Sequence, residues 1–332
     1  MDREQEEMQF LGLFGVFIEG YKIIISCRKI FSQITLALIL PLSFIYLAHI
    51  EVSHTLFSKI LHTENQLDNT RAGTTKYNKL TDHVSSEWTT YWLFKFAYFT
   101  FLLIFSLLST AAVVYTIACV YTAREFTFKK VMSVVPKVWK RLMVTFLCTF
   151  IAFFGYNIVA ILAFVLWAVT ISNTTIGVVL FFVGLALYVV GFVYLTIVWH
   201  LASVVSVLED IYGFKAMVKS KELIKGKMWV AIAVFFMLNF FLVVIQRLFE
   251  VYVVHGESLG MLRRTVFGII CLLLLFKLIL FGLVIQTVLY FVCKSYHHES
   301  IDKSALSDHL EVYLGEYEPL KAKDVQLEPF HV

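Results

Sequence analysis

Apolar residues run almost without interruption through Phe31–Ile50, Phe94–Val120, Leu142–Ile171, Ile176–Val207, Trp229–Val254 and Thr265–Val292. Each stretch reaches the ~20 residues that a helix needs to cross a bilayer. Barrel strands would alternate polarity, whereas Cys271–Leu275 is continuously apolar. The pattern predicts an all-α polytopic membrane helix bundle of about six transmembrane helices. Only Ser172, Asn173, Thr174 and Thr175 separate the third span from the fourth, which forces an antiparallel hairpin.

Two further segments have helical periodicity without the length of a span, and both are expected as amphipathic in-plane helices. Residues 8–27 place Phe10, Phe14, Phe17, Tyr21 and Ile24 at helical spacing, and Glu19 and Lys22 near the middle argue against a crossing. In residues 128–142, Lys129, Lys130, Lys137, Lys140 and Arg141 gather on one face, and Val131, Val134, Val135, Val138 and Trp139 on the other. Such a helix suits an anionic headgroup layer, so these five basic residues are candidate lipid-headgroup contacts. Packing on the protein's own cytosolic end is the plainer alternative. Pro41 within the first span is either tolerated by packing against neighbours, the commoner case, or the site of a kink.

The chain accordingly divides into a cytosolic N-terminus with its amphipathic helix (1–30), a six-helix transmembrane domain (31–292) and a cytosolic C-terminal tail (293–332). Within the middle part, an extracytosolic loop is expected at 51–90 and basic cytosolic loops at 121–141 and 208–228. Lys and Arg decide that orientation. The loop after the second span carries Arg124, Lys129, Lys130, Lys137, Lys140 and Arg141, and the loop after the fourth carries Lys215, Lys219, Lys221, Lys225 and Lys227. The opposite loops are poorer in positive charge, so both termini are expected in the cytosol. The sequence does not separate endoplasmic reticulum from plasma membrane.

Composition agrees. Of 332 residues, 59% are hydrophobic and 16% charged, more apolar surface than a water-soluble domain can bury. The acidic Asp2, Glu4, Glu6 and Glu7 do not resemble the basic start of a signal peptide, and Phe330-His331-Val332 is no retrieval signal. Asn173-Thr174-Thr175 matches a glycosylation sequon but lies too close to the bilayer to be expected as an acceptor. Five cysteines show no paired spacing, so no disulfide and no metal site is assigned. Cys27 and Cys293 flank the first and last spans, where acylation occurs, although burial as small hydrophobes is the ordinary fate of such residues.

Span, basic segment, span occurs twice: Phe128-Lys129 recurs as Phe214-Lys215, and Arg141 as Lys227. This layout suggests a tandem repeat of helix pairs. The stretch from Glu209 and Asp210 through Gly213, Ala216 and Ser220 to Leu223 and Gly226 resembles the membrane domain of bacterial glycerophosphodiester phosphodiesterases. Arg28-Lys29-Ile30-Phe31 followed by Leu40-Pro41-Leu42-Ser43-Phe44 resembles a plant family of uncharacterised multi-pass transmembrane proteins. The first resemblance implies a membrane domain without its enzyme, because the catalytic barrel needs about 250 residues and the polar segments here are about forty residues each. The second covers nearly the whole chain and implies no chemistry.

Polar groups inside spans are the remaining candidates, since hydrocarbon penalises them. Lys277 stands near the middle of the sixth span, and Asn239, Gln246, Arg247 and Glu250 lie along the fifth. Arg247 and Glu250, three apart, suit a local ion pair. Lys277 either snorkels, meets Glu250, or faces a wet cavity. Asn157 and Asn239 are expected to stitch helices together. The intramembrane polar candidates are therefore Lys277, Glu250 and Asn239. No phosphate loop, zinc-protease or nucleophile-elbow motif is present, so no cofactor and no enzymatic activity is expected. The reading is a non-enzymatic membrane scaffold or adaptor. Its partners are the lipid bilayer, with anionic headgroups, and proteins not identified, and nucleic acid is not among them. The alternative is a small-solute or lipid transporter using a polar site near Lys277.

Overall fold

A computed structural model describes residues 8–71, 73–122, 127–171, 174–256 and 260–297. The N-terminal acidic residues, the sequon asparagine Asn173 and the expected C-terminal tail from residue 298 lie outside them. Among the described residues there is no strand, and the chain forms eight helices. They are α1 (Leu13–Ser26), α2 (Arg28–Asp68), α3 (Thr75–Tyr121), α4 (Phe128–Thr170), α5 (Thr175–Leu208), α6 (Phe214–Ile224), α7 (Met228–Val254) and α8 (Met261–Tyr296). All but α1 and α6 are long and apolar enough to cross a membrane, the arrangement of a multi-pass membrane protein.

Several helices outrun the hydrocarbon. The 47 residues of α3 extend about 70 Å against a core of about 30 Å. The expected loop at 51–90 is therefore mostly helix, with α2 continuing to Asp68 and α3 starting at Thr75. Hydropathy marks where apolar side chains stop, not where a helix stops. No proline falls in this stretch and its one glycine, Gly73, sits in the turn at φ 84°. The two rods are fastened by Trp88, whose Nε1 donates to Glu64 Oε1 at 3.0 Å, and by Lys59 and Glu87 at 3.4 Å.

Pro41 stands in the first turn of α-helix that follows a π turn. It has no N–H for the carbonyl of Ala37, and the preceding turn, Thr35–Ile39, widens to a π turn closed by Leu40 N–H on Thr35 O. Ser43 Oγ donates to Ile39 O at 2.8 Å just beyond.

The chain divides into two compact units. One holds Met1–Glu19, Ala111–Ala231 and Gln286–Val332, the other Gly20–Thr110 and Ile232–Ile285. In the first unit, α4 and α5 make the expected tight hairpin. Thr174 caps α5 by accepting from Gly177 N–H at 2.9 Å, and a Cβ on Gly177 would overlap the Ile171 carbonyl. Tyr188 OH donates to Asn157 Oδ1 at 3.0 Å across the hairpin, and Tyr156 OH to Tyr188 O at 2.8 Å. Leu47, Ile245, Phe249, Cys271 and Leu275 build the core of the second unit.

The two copies of the expected repeat take different local forms. The first basic segment is the opening of α4, continuous with its span through Pro136, whereas α6 is a separate helix. Glycines at positive φ, Gly213 at 68° and Gly226 at 89°, bound α6 at either end, and the first segment has neither.

Candidate functional site

The segment from Glu209 to Gly226 holds a dense polar network within the first unit. α5 ends at Leu208, and the next two residues turn their carboxylates to different partners. Glu209 Oε1 accepts from Tyr290 OH at 2.5 Å and from Lys294 Nζ at 3.1 Å, both on α8. Asp210 Oδ1 accepts from Arg141 of α4 at 2.7 Å. Gly213 then swings the chain back, and its N–H donates to Thr145 Oγ1 at 2.8 Å. Thr145 is paired in turn with Ser206 Oγ at 2.7 Å, and both side chains are fully enclosed. Ser220 Oγ donates to Val198 O at 2.8 Å. Ala216 and Leu223 are buried, while a Cβ on Gly226 would strike the Tyr296 ring.

Glu209, Asp210, Gly213, Ala216, Ser220, Leu223 and Gly226 thus each have a packing or hydrogen-bonding task. Together they clamp α6 between α5, α4 and the end of α8. No sequence motif marks Tyr290, Lys294 or His297, whose Nε2 lies 3.1 Å from Leu223 O and 2.9 Å from Lys225 O. The four-residue spacing of Tyr290 and Lys294 at the end of a span was the available signal.

The basic face of α4 stays exposed at Lys129, Lys130, Lys137 and Lys140, and Arg141 is half-buried in its pair with Asp210. The opposite face, Val131, Val134, Val135, Val138 and Leu142, is buried. Most of the apolar half of this segment is therefore covered by the protein, with Met132 and Trp139 partly buried, and the lysines lie on the exposed side. α1 behaves otherwise. Val16 and Ile23 are buried, while Phe14, Ile18, Tyr21 and Ile25 form an exposed apolar stripe, the pattern of a helix lying in an interface.

The in-span candidates are not brought together. Glu250 sits on a π turn, where Oε2 accepts from Arg247 at 2.9 Å and Oε1 lies 3.4 Å from Gln246 Nε2. Gln246 Oε1 also accepts from Tyr46 OH at 3.3 Å. Asn239 turns back to its own helix, donating to Phe235 O at 2.9 Å. Lys277 is exposed on α8 and has no hydrogen-bond or ion-pair partner among the described residues. A second cluster that sequence reasoning passed over joins Lys95 Nζ to His49 Nε2 at 2.7 Å, with the His49 ring stacked on Tyr98.

Cys293 has no exposed surface, which closes it to acylation, and Cys27 is half-buried. Burial raises the Cys27 thiol above its ordinary pKa against a smaller lowering by the Ser26 hydrogen bond. Among the described residues no group of three or more His, Cys, Asp or Glu is placed to hold a metal ion.

The chain belongs to the family described as a domain of unknown function, DUF8558, whose model matches residues 1–330. No curated protein and no solved structure matches the chain.

Proposed function

We propose that this chain is a non-enzymatic multi-pass membrane scaffold, with both termini in the cytosol, that works by presenting helix faces to other membrane proteins. The observation that carries this reading is the placement of Lys277. A lysine ammonium near the middle of a span costs about 2.5–3.5 kcal/mol on insertion scales, and a transport role would set it in a polar cavity. Here it stands on an exposed face of α8, with Leu273 and Leu274 exposed one turn before it. A carboxylate on a neighbouring transmembrane helix would offset its cost. The α4–α5 hairpin adds a second open surface, since only 6% of the most apolar window in either helix is buried.

Lys129, Lys130, Lys137 and Lys140 fit anionic headgroups on the cytosolic side in this reading, each adding about 1 kcal/mol of attraction near such a surface. The use of Glu209–Gly226 as a packing clamp supports treating the phosphodiesterase-like segment as a membrane-domain feature. The likeness of Arg28–Phe31 and Leu40–Phe44 to the plant proteins is the basis for a plant origin.

Reconstitution tests the choice between scaffold and transporter. Lys277→Met keeps the unbranched stem and removes the ammonium, so the scaffold reading expects a variant at least as stable as wild type and the same background solute flux. Flux by the wild-type chain that vanishes in a well-folded Lys277→Met variant would overturn the reading.

A further inference from the structure

Within the second unit, α2, α7 and α8 leave an open groove of about 740 Å³. Phe44, Leu47 and Ala48 of α2 form one wall, Ile269 and Leu272 of α8 the other, and Phe249 and Val253 of α7 the floor. Gly268 lies in the wall from α8, where a Cβ would meet only Val253 Cγ2 at 3.9 Å, so the groove owes part of its width to a missing side chain. One end is charged. Arg264 Nη2 donates to Glu51 Oε1 at 2.9 Å, and both residues line the groove. Glu51 follows the first apolar stretch directly and Arg264 precedes the sixth, so this pair marks headgroup level and the rest descends into hydrocarbon.

The pair is incompletely satisfied. Glu51 Oε2 is out of solvent contact and has no hydrogen-bond partner among the described residues, while a guanidinium carries five donors and Glu51 occupies only one by this bond. A carboxylate oxygen in need of donors beside an arginine with donors to spare is complementary to a zwitterion of matching polarity. Phosphate suits the planar guanidinium, and a primary ammonium supplies the N–H groups that Glu51 lacks once a turn of its side chain brings the enclosed Oε2 to the groove. The apolar walls directly below suit an acyl chain.

We propose that this groove is a binding site for a single glycerophospholipid with a primary ammonium headgroup, phosphatidylethanolamine, its phosphate on Arg264, its ammonium on Glu51 and one acyl chain beside Gly268. Phosphatidylcholine has the same phosphate and chains but no N–H to donate, so the carboxylate discriminates between the two. The site goes beyond the scaffold reading and does not depend on it.

Native mass spectrometry of the delipidated full chain, incubated with dioleoyl phosphatidylethanolamine, phosphatidylcholine or phosphatidylglycerol, tests it. The wild-type chain should retain one phosphatidylethanolamine under collision conditions that strip phosphatidylcholine. Gly268→Leu fills the groove and should reduce that retention at least tenfold. Glu51→Gln should erase the preference for ethanolamine over choline while leaving phosphatidylglycerol retention, through Arg264, at least as strong as in the wild-type chain. Equal retention of all three lipids by the wild-type chain would show annular lipid only and overturn the proposal. So would unchanged ethanolamine preference in Glu51→Gln, a variant that bears on the proposal even where Gly268→Leu fails to fold.

Discussion

Thr145 offers a sharp test of the clamp that holds α6, because one hydroxyl serves several neighbours. Its Oγ1 receives Gly213 N–H at 2.8 Å, lies 2.7 Å from Ser206 Oγ and reaches Arg141 O at 3.2 Å. Thr145→Val keeps the shape and deletes the oxygen. Gly213 N–H then loses its acceptor in a buried site, at about 1–3 kcal/mol, and a methyl now crowds that nitrogen. Overpacking of this kind adds a cost of about 1–3 kcal/mol, so a total loss of about 2–6 kcal/mol is expected. Ser206→Ala leaves Thr145 with Gly213 and Arg141 and should lose only about 1 kcal/mol. Thr145→Ser keeps the oxygen, removes one methyl and should also lose about 1 kcal/mol. Equilibrium unfolding of the purified chain in mixed micelles against rising detergent denaturant, followed by Trp fluorescence, ranks the three. A Thr145→Val variant no weaker than Ser206→Ala, or a Thr145→Ser variant as weak as Thr145→Val, would refute the reasoning.

The remaining predictions concern the same face and the α1–α2 junction. Glu209→Ala removes the carboxylate that accepts from Tyr290 OH and Lys294 Nζ, both mostly covered, and should lose about 2–4 kcal/mol in the same unfolding assay. Arg141→Gln breaks an ion pair whose Asp210 side chain is 71% exposed, and a loss above about 1 kcal/mol there would contradict the surface assignment. Cys27 has a raised thiol pKa, so its thiolate fraction at neutral pH is below that of a free cysteine and grows only as pH rises past the ordinary thiol range. In a chain whose other cysteines are replaced by alanine, alkylation should be slow at neutral pH and accelerate above it, and free-cysteine rates at neutral pH would contradict the burial.

The spans were legible because hydrocarbon-length apolar runs leave little else for a chain to do. The α4–α5 hairpin was legible for a similar reason, since the residues between Ile171 and Ile176 are too few for any other connection. Helix ends beyond the bilayer were not. Residues 51–68 mix charges with apolar residues, and only the absence of proline hinted that α2 would continue. Partner choice was the least legible part. Lys277 and Glu250 were the natural pair by charge, yet Glu250 is taken by Arg247 and Gln246, close by on its own helix, and local geometry outcompetes a cross-helix reach. Glu209 could be recognised as part of a motif, but its partners on α8 lie more than eighty positions away and follow only from the fold.

The central claim, that the Lys277 face of α8 meets a carboxylate on another membrane protein, is tested most directly by photocrosslinking in native membranes. A photoreactive residue at Leu274 sits one turn from Lys277 on the exposed face, and one at Val179 reports an exposed surface of α5. The account predicts a discrete protein adduct at position 274 that disappears when Lys277→Met is added, with the position 179 pattern unchanged. Lipid adducts alone at position 274, identical with and without the ammonium, would contradict it.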